Sequence, residues 1–366
     1  MNLLMSAYAC EPNKGSEPEV GWRWMIDSAK IYDNIVVVTR ANNRKNIEKE
    51  FYKLNIKNVQ FIYFDLPKWA SFWKKAGRGV QLYTYLWEIF LFFFLLKKYK
   101  RNQFDVSQRV TFVSYRFPSF IWYFSKKFIL GPVAGGERYP LDFLKIFSFK
   151  GKMKELVRMI IQRISLLDPL ILLTLYKAET IIAVTNDTKT ILPFFAQKKV
   201  IIKPAIFINI NDFKVNINQK IFIKEKQLKL LYVGRIIEWK GIELILKALK
   251  DLDIAMYDFN IIGEGNAKSK FTQYISKYNL NVNFLGQKNR KELSDYYLTH
   301  DLFLFPSLHD SGGMVILEAK AHGLPVVVSS FGGPQQFTDE KDYVVKAKNV
   351  NDFISELSNI IKSQLS

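Results

Sequence analysis

Short apolar segments rich in β-branched residues recur along the chain and alternate with longer stretches of helical periodicity. The short segments suit strands buried on both faces of a parallel sheet, and the longer ones suit the helices that cover it. A first series of predicted strands occupies 3–9, 35–39, 59–64, 128–130, 180–184 and 200–202, with helices such as 20–30 and 82–100. A second series occupies 228–233, 259–262, 282–285, 302–305 and 326–329, with helices at 241–252, 268–278, 291–298 and 314–322. Two successive β/α alternations predict an α/β protein with two doubly wound, Rossmann-like domains.

The periodicity weakens between the two series, near residues 203–226, where the chain becomes rich in Asn and Lys. A length of 366 residues also fits two domains better than one. We therefore predict an N-terminal domain over 1–203 and a C-terminal domain over 204–350. The last residues, 351–366, are predicted to form a helix that could pack back on the N-terminal domain.

Composition excludes several classes of protein. With 49% hydrophobic and 24% charged residues the chain is globular rather than disordered. The one cysteine, Cys10, excludes a disulfide framework and any Cys-rich metal module. His309 and His322 lack the spacing of a zinc half-site, so no metal is expected. The first four residues carry no basic leader, and we expect a cytoplasmic protein.

The excess of positive charge is concentrated in the first half of the chain. The net charge is +19, and residues 1–200 hold 32 basic and 16 acidic side chains, against 21 and 18 in the remainder. Such an asymmetry predicts an anionic partner for the first half, which could be a nucleic acid, an acidic membrane or an anionic substrate.

Residues 68–101 combine eight basic side chains with many aromatic ones and a single acid, Glu88. The uncharged run 89–96 is too short to span a bilayer, which needs about 20 residues. Aromatic rings flanked by cations suit peripheral contact with an anionic membrane. The basic and aromatic cluster upstream of the run consists of Lys68, Trp69, Phe72, Trp73, Lys74 and Lys75. A core-facing helix is the alternative, and its predicted core positions are Leu82, Leu86, Ile89, Phe93 and Leu96.

The sharpest chemical signal follows the predicted strand 228–233. The turn runs from Gly234 and Arg235 to Lys240 and Gly241 and leads into a predicted helix. Doubly wound sheets bind ligands beyond the carboxyl ends of their strands. Arg235 as a planar fork and Lys240 as a point charge could therefore converge on a diphosphate.

A second signal, from His309 to Glu318, follows the predicted strand 302–305. Gly312 and Gly313 precede a helix, so the backbone can approach a ligand and the first N–H groups can point at a phosphate. Glu318 lies more than one turn further on, where its carboxylate could accept both hydroxyls of a ribose. Each feature alone is compatible with a simple turn, but together they indicate a nucleotide site.

These two motifs, with Gly332-Gly333-Pro334 after them, resemble the donor half of retaining glycosyltransferases of family four. The segment 8–22 resembles the acceptor-side glycine loop of a bacterial surface-polysaccharide branch of that family, and the segment 131–137 resembles a second segment of that branch. The resemblance implies the GT-B fold, two Rossmann-like domains with the active site in the cleft between them, an acceptor-binding N-terminal domain and a nucleotide-sugar-binding C-terminal domain.

The resemblance also implies roles for individual residues. Arg235 and Lys240 would hold the nucleotide diphosphate, and Asp310 would contact hydroxyls of the donor sugar, which makes these three the catalytic candidates. The donor-binding candidates are Gly15, Gly234, Gly312, Gly313, Met314 and Glu318. The acceptor-side candidates are Glu17, Gln108, Arg109, Glu137 and Arg138.

Two positions depart from the family pattern. A His that this branch usually carries after the strand near Asp105 is replaced in the string Ser107-Gln108-Arg109-Val110-Thr111. The acid that often follows the Gly-Gly-Pro segment is replaced by Gln335-Gln336. Both departures bear on the acceptor chemistry, and neither changes the residues that would bind the diphosphate.

Taken with the resemblance, the sequence predicts metal-independent transfer of a sugar from a nucleotide-diphosphate sugar, with no cofactor. The acceptor would be a lipid-linked or glycan molecule in capsule, O-antigen or lipopolysaccharide synthesis, at the inner face of the cytoplasmic membrane. Three alternatives stay open. A non-catalytic sugar-nucleotide-binding relative would explain the missing His. A basic nucleic-acid-binding protein would explain the charge, although no such motif is present. A dehydrogenase would need a third glycine after Gly263 and Gly265.

Overall fold

The computed structural model describes residues 1–14, 16–72, 74, 79–205 and 227–365, and the side chains of all these except Ser16 and Arg290. The chain falls into two compact units, one drawn from 1–136 and 158–207 and the other from 137–157 and 208–366. Most of the predicted domain boundary, 206–226, lies outside the described residues.

The first unit contains a seven-stranded sheet in which all neighbouring strands are parallel, in the order β3-β2-β1-β4-β5-β6-β7. Its strands are β1 (Asn2–Ala7), β2 (Asn34–Thr39), β3 (Val59–Tyr63), β4 (Phe104–Thr111), β5 (Ser125–Val133), β6 (Thr180–Ala183) and β7 (Val200–Ile202). The helices along this part of the chain are α1 (Ser16–Ala29), α2 (Arg44–Lys53), α3 (Val80–Leu96), α4 (Phe149–Ile164), α5 (Pro169–Lys177), α6 (Asn186–Ile191) and α7 (Phe194–Gln197).

The second unit contains a six-stranded parallel sheet in the order β10-β9-β8-β11-β12-β13. Its strands are β8 (Leu228–Val233), β9 (Tyr257–Ile262), β10 (Val282–Phe284), β11 (Leu302–Phe305), β12 (Val326–Ser329) and β13 (Tyr343–Val345). Its helices are α8 (Ile242–Leu249), α9 (Lys268–Tyr278), α10 (Arg290–Thr299), α11 (Met314–Ala321) and α12 (Val350–Ser363). The predicted pair of doubly wound α/β sheets is confirmed.

Strands at the centre of the second sheet are buried along their whole length. Every residue of β11 and β12 is buried, as are five of the six residues of β8. Continuous burial explains why these strands read as unbroken apolar runs, and their bounds coincide with the predicted ones.

Strand β4 carries polar side chains through the middle of the first sheet, between β1 and β5. Ser107, Gln108, Arg109 and Thr111 are all buried. The hydrophobic pattern did not mark this strand, because its buried side chains are polar. Ser107 bonds to the Ser125 hydroxyl, Gln108 to the Gly131 carbonyl oxygen and Thr111 to the Ala9 carbonyl oxygen.

Helix α3 corrects the predicted core positions of the apolar stretch. Its buried face carries Tyr83, Trp87, Leu91 and Leu95, which belong to the hydrophobic core of the first unit. Predicted core residues such as Leu82 and Phe93 are exposed instead. A helix that is apolar almost all round has no polar face to fix its orientation, so spacing alone chose the wrong side. None of the helices in the described ranges has the length and apolar character needed to cross a bilayer.

Helix α12 packs against α8 inside the second unit. The backbone N–H of Val350 donates to the Asp142 carboxylate at 2.9 Å, and the Phe353 ring meets the edge of Phe143 at 5.6 Å. Asp142 and Phe143 come from the sequence range predicted as the N-terminal domain, but the segment 137–157 groups with the second unit.

Candidate functional site

The loops that carry the chemical motifs leave the second sheet where its strand order reverses. The chain proceeds from β8 outward to β10 on one side and from β11 outward to β13 on the other. Such a reversal opens a crevice at the carboxyl ends of the two central strands. Arg235 follows β8 directly, and Asp310 follows β11.

The turn after β8 is fixed by close backbone contacts. Gly234 has a φ of +154°, and the Tyr232 hydroxyl donates to the Arg235 carbonyl oxygen at 3.0 Å. Gly241 has a φ of +77°, and a Cβ there would lie 2.0 Å from the Pro306 carbonyl oxygen. The turn is therefore pressed against the end of β11, while the Arg235 side chain stays exposed to solvent.

Lys240 is buried and forms an ion pair with Asp310. Its ammonium lies 4.7 Å from the centre of the Trp239 ring and 4.8 Å from that of Phe305. Ring faces stabilise a cation that has lost part of its hydration, so the carboxylate and the two rings together hold the charge at a defined point.

Asp310 is held by the Gly-Gly-Pro segment that follows β12. The Gly333 N–H donates to the Asp310 carbonyl oxygen at 2.8 Å. Gly332 has a φ of +69°, and a Cβ there would lie 2.2 Å from the same oxygen. The segment therefore packs directly against the backbone of the Asp310 loop, and this close approach explains why glycine stands at 332.

Helix α11 begins at Met314, directly after Gly312 and Gly313. No described side chain caps this helix start, and a Cβ on Gly312 would meet nothing within 4 Å. The N-terminus of a helix favours an anion through its unpaired N–H groups and its dipole. Open space beside Gly312 leaves room for such an anion.

Glu318 is half-buried one turn further along α11. The Tyr297 hydroxyl donates to its carboxylate at 3.2 Å. Burial, with the nearby Glu318 charge, raises the pKa of Tyr297 well above its ordinary value, so this hydroxyl remains a donor at any physiological pH. The His322 ring donates from Nδ1 to the Glu318 carbonyl oxygen at 2.7 Å.

Gly263 and Gly265 pack the turn after β9 against the turn after β8. A Cβ on Gly263 would lie 1.9 Å from the Gly234 carbonyl oxygen, and one on Gly265 would lie 2.1 Å from that of Ile236. Close backbone packing thus explains both glycines, so they need not serve to bind a dinucleotide. These two glycines were the sequence feature that suggested a dehydrogenase.

His309 joins the site through contacts that sequence reasoning missed. Its ring stacks on Trp239 with centroids 4.2 Å apart, and its Nε2 lies 3.2 Å from a Glu155 carboxylate oxygen. Glu155 also accepts from the Tyr139 hydroxyl at 2.9 Å. The sequence did contain a hint of this contact, because Trp239 directly precedes Lys240 and His309 directly precedes Asp310.

On the first unit, Glu17 lies in the first turn of α1. Its two carboxylate oxygens accept from the Val113 N–H at 3.2 and 2.9 Å. Burial raises the pKa of Glu17 to about 7, against lowering contributions from the Val113 N–H and the Arg109 charge. Glu17 therefore fixes the loop after β4 and titrates near neutrality.

Gln108 and Arg109 are buried and bonded to backbone. Gln108 donates from Nε2 to the Gly131 carbonyl oxygen at 2.8 Å. The Arg109 guanidinium donates to the carbonyl oxygens of Ser114 at 2.5 Å and Phe112 at 3.4 Å. Both side chains hold neighbouring segments in place, and their acceptor-side roles stay predictions.

The remaining predicted residues are distributed as follows. Glu137 is buried and Arg138 is exposed, and both belong to the unit that also carries Arg235 and Lys240. Gly15 lies outside the described residues. Within the described ranges, no three His, Cys, Asp or Glu side chains form a group that could hold a metal ion.

Comparison with known proteins finds similarity to glycosyltransferases. Residues 213–366 match the family model of the glycosyl transferases group 1. The chain has the GT-B fold. It resembles the lipopolysaccharide outer core galactosyltransferase WaaB with a TM-score of 0.62 at 14% identity, over 100% of this chain and 92% of that one. It resembles Anabaena Alr3699/HepE in complex with UDP-glucose with a TM-score of 0.56 at 15% identity, over 100% and 90%.

Among curated relatives, the amylovoran biosynthesis glycosyltransferase AmsD of Erwinia amylovora is 26% identical over 189 residues, which cover 51% of this chain and 54% of AmsD. The chain spans between 32% and 54% of the length of four curated relatives that it matches. The match to the family model lies in the C-terminal part, which also carries Arg235, Lys240 and Asp310.

Proposed function

We propose that this protein is a retaining glycosyltransferase that moves a sugar from a nucleotide-diphosphate sugar to a membrane-associated glycan or glycolipid acceptor. The pathway would be the synthesis of a bacterial surface polysaccharide. One observation carries the proposal: Arg235, Lys240 and the uncapped start of α11 all lie on loops at the carboxyl ends of β8 and β11. Cationic side chains and helix N-termini are groups that bind phosphate oxygens well.

The diphosphate would be held by different kinds of group. Arg235 is exposed and can form a two-pronged contact with phosphate oxygens, whereas Lys240 is a buried point charge. The backbone beside Gly312, Gly313 and Met314 would supply N–H donors to the same group. Alr3699/HepE, a protein of the same fold, forms a complex with UDP-glucose, which supports a nucleotide-sugar donor for this protein.

Glu318 would accept the two hydroxyls of the ribose, with its carboxylate steadied by the Tyr297 hydroxyl. Asp310 would accept a hydroxyl of the donor sugar while it positions the Lys240 ammonium. Gly234 allows the turn after β8 to reach the phosphates.

The chemistry then follows from charge. The bond between the anomeric carbon and the phosphate oxygen breaks, and the departing diphosphate gains negative charge that Arg235 and Lys240 stabilise. The acceptor oxygen attacks from the same face, its proton passes to the departing phosphate oxygen, and the configuration at the anomeric carbon is retained. This route uses no enzyme nucleophile and requires no metal ion.

The acceptor would be recognised by the first unit, where Glu17, Gln108 and Arg109 hold the segments around the end of β4 in place. Glu137 and Arg138, which belong to the second unit, stay acceptor-side candidates through the family resemblance. The positive charge of residues 1–200 fits work at the inner face of the cytoplasmic membrane, beside anionic lipid. No nucleic acid is involved in this proposal.

A panel of UDP-, GDP- and ADP-sugars tests the proposal by thermal shift, because a ligand that binds the native state raises its melting temperature. We expect one nucleotide class to raise it, and the same donor to be hydrolysed slowly without acceptor. Absence of a shift with every nucleotide sugar would refute the function. Binding without hydrolysis or transfer would favour the non-catalytic relative, which the replaced His near Gln108 suggests.

A further inference from the structure

Helix α4 has its apolar side turned outward, the reverse of an ordinary surface helix. Ordinary helices of globular proteins bury their apolar stripe and expose their polar face. In α4 the buried positions are polar, since Glu155 is 5% exposed and Gln162 is 4% exposed. The helix is therefore held in the fold by polar contacts and presents its apolar side chains to solvent.

The anchors of the buried face are specific hydrogen bonds. Glu155 accepts from the Tyr139 hydroxyl at 2.9 Å. The Gln162 side chain donates from Nε2 to the Gly135 carbonyl oxygen at 2.7 Å, and the backbone carbonyl oxygen of Gln162 accepts from the Tyr115 hydroxyl at 2.6 Å. These bonds fix the rotation of the helix about its axis, so the outward direction of the apolar side is built into the fold.

The outward face forms one continuous stripe. Its members recur every three or four residues, which places them on one side of the helix. The end residues Phe149 and Leu167 are 79% and 77% exposed, and Ile160 in the middle is 55% exposed. The apolar stripe consists of Phe149, Met153, Leu156, Val157, Ile160, Ile161, Ile164 and Leu167. Over α4 itself it is about 24 Å long, at 1.5 Å per residue.

Basic side chains flank the stripe on both sides. At 100° per residue, Lys150 and Lys154 fall along one border and Lys152 and Arg163 along the other. The one acid within α4, Glu155, is on the buried face. An apolar stripe between two rows of cations matches the boundary of an anionic bilayer, where acyl chains lie beneath negatively charged headgroups.

The same charges disfavour a second copy of the chain as the occupant. Two α4 helices packed stripe to stripe would bring their rows of Lys and Arg together, with no acid on either outward face to pair with them. Like charges that meet in this way oppose association.

We propose that α4 docks this protein on an anionic membrane surface by inserting its apolar stripe among the lipid headgroups. The inference rests on the proposed function, which places the acceptor in the membrane, and names the surface that reaches it. It replaces the aromatic cluster at residues 68–75 as the principal contact. Of that cluster, Trp73 and Lys75 lie outside the described residues.

Three variants test this docking. The stripe variant carries Phe149→Ser, Ile160→Ser and Ile164→Ser, and the border variant carries Lys150→Gln, Lys152→Gln and Lys154→Gln. A matched control removes three exposed apolar side chains from the stretch that the sequence singled out. The control carries Trp69→Ser, Leu82→Ser and Phe93→Ser, side chains 69%, 55% and 57% exposed.

Binding is measured by cosedimentation with vesicles of 30% phosphatidylglycerol in phosphatidylcholine, and with phosphatidylcholine alone, at low and high salt. We expect the wild type to bind the anionic vesicles and to be released by salt. The border variant should bind roughly a hundredfold more weakly, since each basic residue near such a surface contributes about a factor of five. The stripe variant should lose a similar factor through lost apolar contact, and the control should change less than threefold.

Several results would overturn the docking proposal. These are a wild type that does not sediment with anionic vesicles, a stripe variant that binds as the wild type does, or a control that loses as much as the stripe variant. A wild-type dimer in analytical ultracentrifugation that the stripe variant converts to monomer, with vesicle binding unchanged, would show that a second copy covers the stripe. Calorimetry of UDP, GDP and ADP binding by the same proteins keeps the two proposals apart. A wild type that binds none of these nucleotides would refute the transferase function and leave the docking proposal standing.

Discussion

Removal of Lys240 should destabilise the second unit more than removal of its partner Asp310. Lys240→Met keeps most of the side-chain volume and deletes the charge, which leaves the Asp310 carboxylate without its ion-pair partner. Asp310→Asn leaves the Lys240 ammonium over the rings of Trp239 and Phe305. The two substitutions should therefore differ in their cost to stability. The Lys240 ammonium left by Asp310→Asn keeps two aromatic neighbours, whereas the Asp310 carboxylate left by Lys240→Met does not.

The magnitude follows from burial. The side chains of Lys240 and Asp310 are 11% and 18% exposed. Removing one partner of a fully buried pair costs about 3–5 kcal/mol, and residual solvent access reduces this to roughly 2–3 kcal/mol for Lys240→Met. Cation–π contact offsets part of the loss for Asp310→Asn, which should cost about 1–2 kcal/mol. In a unit of this size, 2–3 kcal/mol lowers the melting temperature by roughly 4–12 °C.

A double-mutant cycle measures the pair directly. Urea unfolding followed by far-ultraviolet circular dichroism gives the free energy of unfolding of the wild type, both single variants and the double variant. Since the second substitution removes the orphaned charge, the double variant should be at least 1 kcal/mol more stable than the sum of the single effects predicts. Effects that add to within about 0.5 kcal/mol would refute the reasoning, because independent sites behave in that way.

Three further predictions concern stability and binding. Burial raises the pKa of Glu88 from 4.5 to about 7, so its contribution to stability is present below pH 4.5 and lost as the pH rises through 7. Between pH 4.5 and pH 7 the free energy of unfolding of Glu88→Gln should therefore rise by roughly 3 kcal/mol relative to that of the wild type. A difference between the two proteins that stays constant over this pH range in urea unfolding would contradict this. Gly263→Ala should cost about 2–4 kcal/mol in urea unfolding, given a φ of +139° and the Cβ contact at 1.9 Å, whereas its control Gly312→Ala should cost under about 0.5 kcal/mol. Glu318→Gln should weaken nucleotide binding in calorimetry with little change in unfolding, and an unchanged affinity would exclude its ribose role.

The sequence predicted most of the second unit because its strands obey a simple rule. Strands β8, β11 and β12 are buried on both faces, so they appear as continuous apolar runs with the bounds that the pattern assigned. The glycine and charge motifs then fell at strand ends, where parallel sheets concentrate ligand sites, and the structure brings Lys240 and Asp310 into contact there.

Other features could not be found from pattern. Strand β4 buries Gln108 and Arg109. Gln108 bonds to the Gly131 carbonyl oxygen, more than twenty residues away in the sequence, and Arg109 bonds to the Ser114 carbonyl oxygen in the next loop. No local sequence pattern predicts such bonds. The face of α3 was mispredicted because its sequence is apolar all round. The outward stripe of α4 was missed for the opposite reason, since amphipathic spacing normally indicates the buried side, and only the anchors on Glu155 and Gln162 reverse it.

The central claim is that Arg235 and Lys240 stabilise a departing nucleotide diphosphate, and the release of that diphosphate from the donor tests it most directly. The donor identified by thermal shift is incubated with the wild type, with Arg235→Ala and with the control Arg44→Ala, an exposed arginine on α2 that pairs with Glu48. Arg235 is exposed, so its removal should leave the unfolding curve unchanged. We predict that Arg235→Ala releases diphosphate roughly a hundred- to a thousandfold more slowly, as expected for the loss of one preorganised charge, while Arg44→Ala matches the wild type. Equal rates for Arg235→Ala and the wild type would contradict the proposed site.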